Sequence, residues 1–152
     1  MTTLQQFATA DSGAGVAVLA GSPRGADNAA YAMTENGHLV RIVRGAKMPT
    51  VAAVFDEFAA ALQFPYYFGA NKDAFDECLR DWRDWLGDAP HLILIVRDAD
   101  AVLAAESGQL PWLLSALADA GIPVVAQSER LDAAALARRW TEAGAAVTRL
   151  DP

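Results

Sequence analysis

Short apolar runs alternate along this chain with longer amphipathic ones, and the alternation predicts an α/β fold. Gly15-Val16-Ala17-Val18-Leu19-Ala20 is an apolar run bounded by glycines and reads as a buried strand. His38 to Arg44 reads as a second strand. His91-Leu92-Ile93-Leu94-Ile95-Val96 is apolar and β-branched, which suits a central parallel strand covered on both faces. Ile122 to Ala126 predicts a further strand, with Pro123 confined to its first positions or to an edge, and Ala145 to Leu150 a last edge strand. Helical spacing fills the intervals. Thr50 to Leu62 places Val51, Val54, Phe55, Phe58 and Leu62 on one side, and a second helix runs from about Asp73 to Trp85-Leu86-Gly87. Pro111 to Ala120 and Leu131 to Ala143 are each followed by a terminating glycine. Residues 1–12 predict an end segment with a helical turn that tucks in Leu4 and Phe7. Between Asp27 and Asn36 two readings compete. One is a helix capped by Asp27 and stopped by Gly37; the other is a hairpin turning at Asn36-Gly37. Strands alternating with helices predict a small parallel sheet flanked by helices, joined by right-handed crossovers, in a single domain spanning 1–152.

Composition narrows the setting. With 53% apolar and 20% charged residues in 152, the chain can bury a core without staples. A net charge of −7 disfavours direct binding of nucleic-acid phosphates and suits a basic partner. No apolar run reaches the length of a membrane span, and the first residues lack a basic stretch leading into an apolar one, so a cytoplasmic protein is expected. The lone Cys78 has no internal partner for a disulfide. Its spacing among apolar neighbours marks it as a small buried hydrophobe rather than a catalytic thiol.

Candidate chemistry concentrates between Phe64 and Trp82. Pro65 stops the preceding helix, Gly69 permits a bend, and Asn71 is placed to cap the next helix. Ala74, Phe75, Cys78, Leu79 and Trp82 then fall on one apolar face, while Asp73, Asp76 and Glu77 share the opposite side. Three carboxylates so spaced repel by a few tenths of a kcal/mol per pair, and Asp73 recovers some of that at the positive end of the helix dipole. A solvated face is the ordinary outcome for such a stripe. Tyr67 just upstream tilts the balance toward recognition, because aromatics beside charges recur in protein interfaces.

The pattern Pro65-x-Tyr67-aromatic-Gly69-x-Asn71-x-Asp73-Ala74-x-x-x-Cys78-Leu79-x-x-Trp82 resembles the barstar family, intracellular inhibitors of secreted bacterial ribonucleases. The weaker resemblance spans about residues 38–127. A strand–helix unit before it and a helix–strand unit after it are additional to the family's smallest members. The resemblance implies a small parallel sheet flanked by helices, no catalytic activity, and a basic ribonuclease or toxin domain as partner. It also implies a mechanism: carboxylates lie where the substrate phosphate would lie, and a helix and loop plug the cleft. Charge complementarity speeds encounter and desolvated charge pairs resist dissociation, the barnase–barstar complex itself being the type case. Tyr67 and Asp73 match contact residues of the family. Glu77 stands where the family has its principal phosphate-mimicking Asp, one methylene longer. Asp76 takes the place of a contacting Trp, and Arg83 that of an apolar residue. The family's supporting Glu in the third helix would fall near Ala116. These departures bear on what is bound, and the alternative to a ribonuclease is an unrelated partner bound by the same fold, with the contact surface moved to the added ends. The expected partner-binding set is Tyr67, Asp73, Asp76 and Glu77.

Other candidates are weaker. Gly21-Ser22-Pro23-Arg24-Gly25, after the first strand, resembles the phosphate loop of flavodoxin-like FMN-dependent reductases. It is equally a good turn, and no second flavin loop accompanies it, so no cofactor is expected. His38 and His91 open strands and lack a Cys or carboxylate at metal-ligand spacing, so no metal is expected. Asp98, Asp100 and Glu106 form a loose acidic group that reads as a solvated loop. Trp82, Trp85, Trp112 and Trp140 occupy packing positions, with Trp85 also placed to border a binding surface. Two copies of the acidic face repel, so the free protein is expected to be a monomer.

Overall fold

A computed structural model describes residues 3–9, 15–87, 89 and 91–150. After a short helix α1 (Leu4–Ala8), the elements run β1 (Gly15–Ala20), α2 (Pro23–Glu35), β2 (Leu39–Arg44), α3 (Val51–Leu62), α4 (Lys72–Arg80), α5 (Trp82–Trp85), β3 (Leu92–Arg97), α6 (Leu110–Asp119), β4 (Pro123–Ser128), α7 (Ala133–Glu142) and β5 (Val147–Arg149). Five strands make one all-parallel sheet in the order β2-β3-β4-β1-β5. The chain crosses the sheet one way from β1 to β2 and returns through β3 and β4 to β5. A constant crossover hand then requires helices on opposite faces for the two directions.

Two cores show that division. Alternate residues of β3 serve them: Leu92, Leu94 and Val96 pack with α3, α4, α6 and α7, while Ile93 and Ile95 pack with α1 and α2. This is why β3 reads as a continuous apolar run. The middle strand of the sheet is β4, and Pro123 is its first residue, where a missing N–H does least harm. The expected edge strand at the end of the chain is β5, shorter than the apolar run suggests.

The segment before β2 is helical, so the hairpin reading gives way. The helix begins at Pro23 instead of at a cap on Asp27, because a proline at the first helical position sacrifices no intrahelical bond. It ends at Glu35, and Gly37 just beyond the cap has a φ of 87°, which suits glycine. The predicted end segment forms α1, with Phe7 buried; its residues 1–2 and 10–12 lie outside the described residues. Met48, Val54, Phe58 and Leu62 anchor α3 and its lead-in, and Thr50 caps the helix by accepting the Ala53 N–H at 3.2 Å. Among the described residues, no helix is long and apolar enough to cross a membrane.

Candidate partner-binding site

The loop between α3 and α4 is held by an aromatic cluster. Phe64 and Phe68 meet edge to face at 4.9 Å, and Phe64 also meets Trp85 at 5.4 Å. Phe75, from α4, packs on Phe58 at 5.1 Å and on Trp112 of α6 at 5.2 Å. With the phenylalanines turned inward, the two tyrosines between them point out. Tyr66 is 99% exposed and Tyr67 68%, and their rings meet edge to face at 5.7 Å. The bend lies at Ala70, whose φ is 51°. Gly69 serves differently from the expected bend: a side chain there would stand 3.1 Å from Asn71 Nδ2 and crowd the cap. Asn71 does cap α4, its Oδ1 accepting the Ala74 N–H at 2.8 Å.

Phe75, Cys78 and Leu79 bury the back of α4, and Asp73 and Glu77 are exposed on its front. The predicted single helix is broken at Asp81, where the backbone leaves helical geometry before α5. Trp85 returns across the break, its Nε1–H donating to Cys78 O at 3.2 Å. The result is a hollow of about 90 Å³ lined by Tyr67, Phe68, Ala74, Glu77, Cys78, Asp81 and Trp85. It brings Tyr67 and Glu77 together. Asp73 stands apart at the first turn.

Asp76 is turned away from this front. It is half-buried against α6, and burial pushes its carboxyl above the usual range. Arg80 and the Trp112 indole act in the opposite sense, while Asp73 and Asp119 add to the rise. Asp119 lies one turn beyond Ala116. So α6 does present a carboxylate toward α4, displaced from the buried Ala116. Burial also pushes the Cys78 thiol up, with Glu77 and Asp81 adding to it, which fits an inert core thiol.

Sequence reasoning missed three surface residues here: Tyr66, Asp81 and Asp119. Asp81 was findable, since it stands four residues after Glu77 on the same helix face. Tyr66 and Asp119 carried no periodic signal of their own. Arg83 lies over the Trp82 ring, 4.4 Å from its centre, so the family's apolar position is filled by a cation on an aromatic face.

The other acidic residues hold the fold. Glu106 accepts the Val51 N–H at 2.9 Å, and Asp100 accepts from Ser128 Oγ at 2.8 Å. Asp98 has a left-handed backbone, and its N–H donates to Gln127 Oε1 at 2.9 Å. Among the described residues no group of three or more His, Cys, Asp and Glu is placed to hold a metal ion. The 21–25 loop is tied to the sheet: the Gly21 N–H donates to Ser128 O at 2.9 Å and its carbonyl accepts from Gln127 Nε2 at 2.6 Å. The Gly25 N–H is taken by Ser22 O, and Pro23 has none, which leaves few donors to converge on a phosphate.

Fold and surface together define a class: an α/β domain that displays an acidic helix beside an outward-facing aromatic loop. The sequence profile described as "Barstar (barnase inhibitor)" matches residues 38–138, two thirds of the chain, and the chain belongs to the barstar family. The match takes in β2 through most of α7 and leaves out α1, β1, α2 and β5. No curated protein sequence matches the chain. Among solved structures it is similar to a chain in "Structure of Drosophila ORC bound to DNA", with a TM-score of 0.55 and 15% identity, over 91% of this chain and 80% of that one. It is also similar to chains in the Drosophila ORC structures bound to AT-rich or GC-rich DNA and Cdc6, each with a TM-score of 0.52 and 17% identity over 91% of this chain. This chain spans about half the length of those two, 48% and 49% respectively. At such identity the likeness shows the fold alone.

Proposed function

We propose that the protein is a non-enzymatic inhibitor of a basic bacterial ribonuclease or related toxin, and that it protects its producer as an immunity protein. Family membership supports the class. The observation that carries the reading is the pairing of the exposed Tyr66–Tyr67 loop with exposed Asp73 and Glu77 on a helix whose back is locked into the aromatic core. A ribonuclease cleft is cationic because it binds phosphate. Carboxylates on a rigid support enter it with little backbone ordering cost, and the long-range attraction of a protein carrying net −7 speeds encounter. Tyr66, Tyr67, Asp73 and Glu77 make the direct contacts in this reading. Asp76 adds negative potential from behind, reinforced by Asp81 at the rim of the hollow. No step needs a cofactor.

The experiment is titration calorimetry against a barnase-type ribonuclease at low and moderate salt, beside an assay of its activity. The expected result is tight binding that weakens with salt and abolishes activity. Binding without loss of activity would overturn occlusion of the active site. Absence of binding would turn the search to a cognate toxin whose cleft accommodates the longer arm of Glu77.

A further inference from the structure

The two histidines of the chain stand side by side, outside the acidic helix and its loop. His38 immediately precedes β2 and His91 immediately precedes β3. Leu39 and Leu92 are register partners, and the Leu39 N–H donates to His91 O at 2.9 Å. One residue ahead of a registered pair in parallel strands, the two histidines share a face, that of Val40 and Ile93 beneath α2. Their ring centres are 5.4 Å apart, with the planes tilted by 46°. His38 is only 6% exposed, and neither of its ring nitrogens has a hydrogen-bond partner. His91 is exposed. A buried imidazole with both nitrogens unpaired is unusual, because buried polar atoms nearly always find a partner.

We infer that His38 and His91 form a two-imidazole site for a divalent transition-metal ion of the Zn²⁺, Ni²⁺ and Cu²⁺ class. The spacing fits. With a metal–nitrogen bond of about 2.0–2.1 Å, each ring centre lies about 3.2 Å from the ion, and two centres this far apart subtend about 115° at it, close to a tetrahedral angle. The ligand chemistry selects the ion: neutral imidazole suits these metals, whereas Mg²⁺ and Ca²⁺ take oxygen ligands. The negative end of α2, thirteen residues long, runs into His38 and favours a cation there, with Met33 O accepting the His38 N–H at 3.1 Å. Among the described residues no third His, Cys, Asp or Glu joins them. No acceptor orients the second nitrogen of His38, so the ion is exchangeable rather than structural. Binding pins the starts of β2 and β3 to each other and therefore raises stability, logarithmically once free ion exceeds the dissociation constant.

The site is independent of the partner surface and is tested on tag-free protein alone. Melting is followed against Zn²⁺, with Mg²⁺ at equal concentration as the oxygen-seeking control, and the Cu²⁺ adduct is examined by electron paramagnetic resonance. The expected result is a rise in Tm that continues with excess Zn²⁺, one ion per chain by calorimetric titration, no rise with Mg²⁺, and nitrogen hyperfine structure from two imidazoles. His91→Ala leaves the metal-free Tm near that of the parent, since that ring is exposed, and removes both the rise and the second nitrogen. No rise with Zn²⁺, an equal rise in His91→Ala, a copper spectrum with fewer than two nitrogens, or one ion per two chains would each overturn the inference.

Discussion

Asp76 of α4 and Trp112 of α6 act on one another across the helix–helix contact, yet Asp76 Oδ1 and Trp112 Nε1 are both buried without a well-formed hydrogen bond. The carboxylate is therefore costly where it stands, and burial holds its pKa above the ordinary 3.8. The native state binds the proton more tightly than the unfolded chain. Stability from this group accordingly falls as pH rises from 3.8 through the folded value, and the cost is full above it. Asp76→Asn is expected to stabilise the protein by about 0.5–2 kcal/mol at pH 7 and to flatten that slope. Urea denaturation at several pH values between 4 and 7 measures both. A destabilised variant would mean that Trp112 holds the ionised form.

Charge removal at the front should separate binding from folding. Asp73 and Glu77 are exposed and make no contact on which the core depends. Asp73→Ala combined with Glu77→Ala is expected to weaken binding of the ribonuclease partner by about a hundredfold or more, chiefly through faster dissociation, while Tm shifts little. Unchanged affinity in the double variant sinks the proposed contact surface, leaving the fold as it is.

Much of this was legible from residue pattern because the fold depends on it. The strands are covered on both faces, so the β1 and β3 runs announce themselves, and the Asn71 cap, the Thr50 cap and the apolar back of α4 follow from local chemistry that burial reinforces. What escaped the sequence was set by tertiary contact. The break at Asp81 lets Trp85 fold back onto Cys78 O, and the helical spacing of Trp82 and Trp85 hides it. Asp76 shares its helix with Asp73 and Glu77, and only the packing of α6 decides that it turns inward. The start of α2 lies before Asp27, a good cap in isolation, because Pro23 already has the geometry of a first helical residue.

Glu57 gives the pH dependence an opposing component. It is 9% exposed and accepts three hydrogen bonds from Arg44, from the backbone N–H, Nε and Nη2, each at 2.8 Å. The Arg44 side-chain bonds hold its pKa below the ordinary 4.5 despite burial, which acts the other way. This stability is present above about pH 4.5 and is lost as pH falls through the folded value. Glu57→Gln is expected to lower stability at pH 7 and to remove part of the acid-induced loss below 4.5. Denaturation midpoints at pH 3 to 7 check it: parallel curves for the two proteins would contradict the assignment.

Among the described glycines, Gly45 is the position least able to accept a side chain. It is buried after β2, where an added Cβ would lie 2.7 Å from Arg97 O and still closer to Asp98 O. Both obstacles are backbone, so relief means moving the end of β3. Gly45→Ala is expected to cost at least about 2 kcal/mol, or roughly 4–8 °C in Tm for a chain of this length. A calorimetric scan within 1 °C of the parent, a margin of about 0.5 kcal/mol at most, would show that the segment yields.

The exposed tyrosines give the sharpest separation of surface from core. Tyr66 and Tyr67 are, with Tyr31, the exposed large hydrophobics among the described residues, and Tyr66 makes almost no contact beyond its edge-to-face pairing with Tyr67. Removing a side chain that is 99% exposed has almost no transfer or cavity cost, so Tyr66→Ala should change stability by less than about 0.5 kcal/mol. Phe64→Ala, two residues earlier, takes away contacts with Phe68, Phe75 and Trp85 and should cost about 2–4 kcal/mol. In partner binding the order reverses. Tyr66→Ala and Tyr67→Ala are each expected to reduce affinity by tenfold or more, since rigid aromatics beside desolvated charges dominate interface energetics. Comparing the three variants by melting and by titration with the same ribonuclease tests this. If Tyr66→Ala and Tyr67→Ala bind like the parent, recognition rests on the acidic helix alone.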